Sequence, residues 1–324
     1  MMKIYGNKAL LAQTARMVSA GREPHSIIIH GEKGLGKKTM AKYIAAQLMC
    51  EEHSGVPCGR CRACQLIERG AHPDLIFAQS NDKGNYLVED IRDSIVGDAP
   101  VAPNEGDIKV YVIPDFDLSI QTSIQVQNIL LKLIEEPPDH TALILTARSK
   151  EAFLTTIISR CVSLSVTPVT MQESGEFLQA NYPDRSMEEI REALEAGKGN
   201  IGRCKAYIEH EQFYNAVGLA RQIAQAYAGG SEYGFLKALA GADGKKPLLR
   251  EALYLFSELL RDACVRLANG DAVGCDTALA DLISHRLTLS AGTEVYDKIT
   301  KYIRRIDANC SLGLVCNSLC ADLF

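Results

Sequence analysis

Ser26-Ile27-Ile28-Ile29-His30-Gly31-Glu32-Lys33-Gly34-Leu35-Gly36-Lys37-Lys38-Thr39 is the stretch that decides the fold. Its first five residues form a short β-branched run, the pattern of a buried strand. A glycine-rich turn over Gly31–Lys37 follows. Residues 38–50 then carry Ala41, Ile44, Ala45 and Leu48 at helical spacing. Strand, glycine turn and helix together open a phosphate-binding βα unit. Glycines let backbone N–H groups close around phosphate oxygens, and a lysine adds a point charge. Gly31, Gly34, Gly36 and Lys37 fit that pattern. The next position calls for a Ser or Thr to hold Mg²⁺, but it is Lys38, with Thr39 one residue late. The plain alternative is a glycine turn without phosphate chemistry.

Working outward, residues 7–20 carry Leu10, Leu11, Ala15 and Val18 at helical spacing. Further strands are expected at Leu75–Ala78, Lys109–Ile113, Ala142–Thr146 and Val162–Val166. Helices fall between them, notably Ser119–Glu136, which Pro137-Pro138 stops. Strands alternating with helices predict an α/β fold with a parallel sheet covered on both faces. After Pro168 the strand signal ends. Short helices are expected over 170–181 and 186–210, around Gly197-Lys198-Gly199-Asn200. From about residue 213 the chain reads as helical throughout, with Lys246–Leu267 and Val295–Leu319 as long elements. The expected division is an α/β domain over 1–167, a small helical domain over 168–212 and a helical bundle over 213–324.

The chain has 324 residues, 47% hydrophobic and 23% charged, with a net charge of −5. This is ordinary globular composition. An acidic chain lacks the broad basic surface of a nucleic-acid binder, so any DNA contact is expected to be local or shared with other subunits. The N-terminus lacks a signal-peptide pattern, and no apolar run is long enough to span a bilayer. A cytosolic setting is expected, where eleven cysteines do not form structural disulfides. Cys50, Cys58, Cys61 and Cys64 are spaced C-x7-C-x2-C-x2-C, with Gly55, Pro57 and Gly59 supplying tight turns. Four thiolates at short spacing can close a tetrahedral Zn²⁺ shell, leaving no open position for catalysis. Redox-active CxxC chemistry is the alternative, and no thioredoxin-like context accompanies it. The other seven cysteines read as small core residues.

Three further features bear on chemistry. Ile108–Asp117 sits where phosphate-loop folds place an acidic strand end that organises Mg²⁺ and water. The expected carboxylate position holds Pro114, with Asp115 and Asp117 nearby. Ser159-Arg160-Cys161 precedes the last strand, where an arginine taken alone reads as a surface ion pair. The seven histidines show no ligand pairing and read as structural.

Taken together these residues resemble the bacterial clamp-loader family, the gamma/tau and delta-prime subunits of DNA polymerase III. The resemblance covers roughly the first 210 residues. It is carried by Gly6-Asn7, Pro24-His25-Ser26, the altered phosphate loop, the four-cysteine insert, His72-Pro73-Asp74, the run from Asn128 to Pro138, and Ser159-Arg160-Cys161. The C-terminal segment, including Asn309 and Leu312, is similar to the family's helical collar. The resemblance implies an AAA+ domain, a helical lid and an oligomerising collar. It implies gamma/tau and delta subunits as partners, with sliding clamp and primer-template DNA met through the assembly. It also implies that Arg160 acts in trans on ATP held by a neighbouring subunit. Lys38, Pro114 and the lid sequence Gly199-Asn200-Ile201-Gly202 depart from the ATP-hydrolysing pattern, with Arg203 one step past the expected sensing arginine. These departures point to the non-hydrolysing delta-prime branch, with weak nucleotide binding at most. A gamma-type motor and a zinc-dependent DNA-binding protein are the competing readings.

Overall fold

The computed structural model describes residues 3–21, 23–81, 86–116, 120–270 and 276–324, leaving aside the side chains at 120–123, 211 and 277. Asp117, Ser119 and Cys275 lie outside the described residues. The chain forms two compact units, Met1–Glu173 and Ser174–Phe324.

In the first unit, α1 (Lys8–Ser19) leads into β1 (Ser26–His30), the glycine turn and α2 (Lys37–Met49). Then come α3 (Arg62–Arg69), β2 (Leu75–Phe77), α4 (Val88–Ile91, continued by a wider turn to Val96), β3 (Lys109–Ile113) and α5 (Ile120–Glu135). β4 (Thr141–Ala147), α6 (Thr155–Ile158) and β5 (Val162–Ser165) complete the α/β part. The strands form one parallel sheet in the order β2-β3-β4-β1-β5. Alternate residues of each strand face opposite sides. Ile27, Ile29, Val110, Val112 and Ile144 pack with α1 and α2, whereas Ile28, Tyr111, Ile113, Leu143 and Leu145 pack with α4, α5 and α6. Both faces are therefore covered, as the unbroken apolar strands require.

The α/β expectation is met, with strand bounds within a residue or so of those read from sequence. α7 (Met171–Asn181) crosses the boundary between the units. In the second unit follow α8 (Met187–Gly197), α9 (Ile201–Glu209), α10 (Glu211–Ala228), α11 (Glu232–Ala240), α12 (Lys246–Leu267), α13 (Thr277–Ser284), α14 (Leu289–Asp307) and α15 (Leu312–Leu323). A small core of Leu178, Ile190, Ala193 and Cys204 serves α7–α9. A larger one, containing Phe235, Phe256, Leu260, Ile299 and Leu319, serves the later helices.

One element differs from the sequence reading. Val295–Leu319 is not one long helix but parts of two, because the chain turns at Asn309. Asn309 takes a left-handed backbone (φ 63°). Cys310 N–H donates to Arg305 O and Asn309 N–H to Ile306 O, both at 3.0 Å. This is the Schellman pattern, which satisfies the last carbonyls of α14. Apolar residues recur every three or four positions on both sides of the break, which hides it from sequence. Among the described residues, no helix is long and apolar enough to cross a membrane.

Candidate functional site

The glycine turn lies at the C-terminal end of β1, where open α/β sheets place their ligand crevice. Gly31 (φ 152°), Gly34 (φ 92°) and Gly36 (φ 81°) all hold positive φ. A Cβ on Gly31 would stand 2.5 Å from Val166 O, so this backbone accepts no side chain. The Lys37 ammonium is buried and donates to Gly31 O at 2.8 Å and Glu32 O at 3.0 Å, closing the loop on itself. The Lys38 ammonium lies 5.6 Å over the Phe77 ring. Thr39 is exposed in the first turn of α2. Successive helix positions are about 100° apart, so its hydroxyl does not occupy the place of residue 38. His30, just before the loop, is held below its ordinary pKa by burial and then by the Lys150 ammonium, with Glu151 opposing. It adds no charge to the loop at neutral pH.

Past β3, Pro114 takes the first position, and its carbonyl accepts from Tyr86 Oη. Asp115 is exposed with a left-handed backbone (φ 47°), and its N–H donates to the buried Thr146 hydroxyl at 2.8 Å. The Asn7 amide ties the start of α1 to the chain leaving β5, pairing with Thr167 N–H (2.9 Å) and Thr167 O (3.1 Å).

The four cysteines come together although they span the end of α2, a loop and α3. Cys50 caps α2, Cys61 caps α3, and all four Sγ atoms lie within 4.8 Å of one another. A tetrahedral zinc with Zn–S near 2.3 Å needs sulfurs about 3.8 Å apart, a small contraction from this arrangement. Backbone N–H groups of Cys58, Cys61 and Cys64 donate to the sulfurs of Cys50, Cys58 and Cys61 at 3.3–3.4 Å. The donor set fits zinc, which would supply folding energy to a loop with little core of its own. The surroundings brace the loop. Gln47 Nε2 donates to Gly55 O at 2.8 Å, and Arg62 grips Glu105 in a bidentate pair (2.9 and 2.7 Å).

Arg160 follows the short α6, whose Ile157 is fully buried. Its Nη1 donates to Thr156 O at 3.0 Å and Ser159 Oγ at 3.3 Å, while Nη2 stands 3.1 Å from Glu135 Oε1. The side chain is 43% exposed. Burial pushes the neighbouring Cys161 thiol up to about 12, so it stays protonated.

In the second unit, Arg203 makes a bidentate pair with Glu258 of α12 at 2.9 and 3.0 Å. Lys198 reaches Asp262 at 3.2 Å. Glu258 and Asp262 carry no sequence signal of their own, and Glu135 stands out only as part of the Asn128–Pro138 run. The signal within that run is a pair of glutamates at a helix C-terminus, where the dipole disfavours acids.

The model of the family described as DNA polymerase III, delta subunit, matches residues 6–170. The Pseudomonas aeruginosa DNA polymerase III subunit delta' is 32% identical over 178 residues, 54% of this chain and 53% of that protein. The Escherichia coli subunit tau is 32% identical over 171 residues, 52% of this chain and 26% of tau. The Escherichia coli subunit delta' is 28% identical over 268 residues, 82% of this chain and 79% of that protein. The match thus spans about half the length of the first relative and a quarter of the second. With the family model matching half of its length, the chain belongs to the DNA polymerase III delta-subunit family, the clamp-loader family to which its delta-prime and tau relatives point.

Proposed function

We propose that the chain is the non-hydrolysing, delta-prime-type member of a cytosolic DNA polymerase III clamp loader. It joins gamma/tau-type and delta subunits, supports placement of a sliding clamp on primer-template DNA, and presents Arg160 to ATP in a neighbouring subunit. Its lid is assigned to 168–212 and its collar to 213–324, a division supported by the separate small core of α7–α9. A structural Zn²⁺ is held by Cys50, Cys58, Cys61 and Cys64.

The observation that carries this reading is Lys38. It puts a cation where a hydroxyl would hold Mg²⁺, the ion that bridges the terminal phosphates and neutralises developing charge. Pro114 removes the second support, and Arg203 is engaged by Glu258. Weak nucleotide binding through Gly31, Gly34, Gly36 and Lys37 is compatible with this role. A motor role is the second reading, favoured by the tau relative, which is as similar over this segment as the first delta' relative.

Steady-state ATPase of the zinc-loaded chain alone, followed by native mass measurement with gamma/tau-type and delta subunits, separates the two. The proposal expects background turnover and a stable assembly. Ordinary ATP turnover by the isolated chain would make it a motor, with Thr39 and Asp115 holding the metal.

A further inference from the structure

We propose that Glu135 is a positioning residue for the Arg160 guanidinium. The inference rests on the reading of Arg160 given above and deepens it. Glu135 ends α5, a 16-residue helix halted by Pro137-Pro138, which begins two residues further on. Carboxylates in a last helical turn meet the negative end of the helix dipole, and they are disfavoured there unless a cation faces them. The Arg160 guanidinium is that cation, with Nη2 3.1 Å from Glu135 Oε1. A locally unfavourable choice held in place by its partner marks a position kept for something other than stability.

The fold builds this juxtaposition. The fully buried Val126 and Leu130 of α5 share a core with Ile157 of α6. The buried Gln127 of α5 clasps the chain entering α6, accepting from Leu154 N–H at 2.6 Å and donating to Ala152 O at 3.1 Å. α5 and the Ser159-Arg160 turn are therefore fixed to each other, and so are the carboxylate and the guanidinium.

The guanidinium is approached from two sides. Nη1 is held on the α6 side by Thr156 O and Ser159 Oγ, and Nη2 faces the carboxylate. The side chain remains nearly half exposed, so a phosphoryl oxygen from outside can reach a group whose plane is already set. An arginine oriented before contact loses less rotamer freedom on engaging an oxyanion. The carboxylate stays on this chain and acts only through Arg160.

The test is a double-mutant cycle in the reconstituted loader, reading kcat and KM for clamp- and DNA-stimulated ATP hydrolysis. Glu135→Gln keeps the shape and removes the charge. It should lower kcat about 3- to 10-fold, leave KM for ATP unchanged, and leave melting and assembly as in the parent. Glu135→Asp, one methylene shorter, should fall between. Arg160→Ala should be more severe, and Arg160→Ala with Glu135→Gln should be no slower than Arg160→Ala alone. If Arg160→Ala slows hydrolysis but Glu135→Gln does not, or the two losses multiply, the role of Glu135 is wrong while that of Arg160 stands. If Arg160→Ala itself runs at the parent rate, the reading on which both depend fails.

Discussion

Replacing Glu258 with alanine should cost the second unit several kilocalories per mole. The Arg203 and Glu258 side chains are only 13% and 8% exposed, and their two contacts are short and parallel. A pair this enclosed is a poor stability device while intact, because desolvation offsets most of the attraction. Breaking it from one side is another matter. Arg203 cannot neutralise itself by losing a proton, so its guanidinium would remain charged and enclosed without the carboxylate that faces it. The expected loss is about 3–5 kcal/mol. A unit of this size shifts by about 2–4 °C per kcal/mol, so the transition should fall by about 6–20 °C. The assay is calorimetry of the full-length, zinc-loaded chain, comparing parent, Glu258→Ala and Arg203→Met with Glu258→Leu. The double apolar replacement should recover most of the loss, since it leaves no buried charge. If Glu258→Ala melts within about 2 °C of the parent, Arg203 has another home. It would then be free to serve as a nucleotide sensor, and one support for a non-hydrolysing subunit would fall.

Two further outcomes are expected. Cys64→Ser should abolish stoichiometric zinc by elemental analysis and expose the 50–64 loop to proteolysis, whereas Cys310→Ser, at an exposed position outside the cluster, should do neither. Asp98 is held below the ordinary carboxylate range, first by the Tyr111 hydroxyl and then by the buried Lys109 ammonium, with burial opposing. A depressed folded value gives stability that is present above about pH 4 and lost as pH falls through that value. Urea unfolding should therefore show Asp98→Asn to be weaker than the parent at pH 7 but to lose less between pH 7 and pH 3. Equal losses would contradict the assignment.

The parallel sheet was legible because β1, β3 and β4 are largely apolar runs bounded by turn residues, and the glycine turn fixed where β1 ends. The cysteine cluster was legible because its ligands lie within fifteen residues, so spacing alone brings them together. What sequence left hidden are partnerships between distant residues. Arg160 with Glu135, Arg203 with Glu258 and Asn7 with Thr167 are set by packing, and single-chain periodicity carries no trace of them. The break at Asn309 was hidden for a different reason. Apolar residues recur every three or four positions on either side, and only the asparagine hints at a left-handed cap.

Single-turnover ATP hydrolysis by the assembled loader, with this subunit as parent or as Arg160→Ala, tests the account most directly. Arg160 is exposed and its ion pair lies at the surface, so as a structural contact it is worth about 0–1 kcal/mol and its loss should leave folding, zinc and assembly intact. As a finger supplied in trans it should contribute about 10³–10⁵ in rate at one site. The account predicts that the variant assembly retains its mass but loses from the fast phase the amplitude of one ATP. An assembly that hydrolyses every ATP at the parent rate would contradict it.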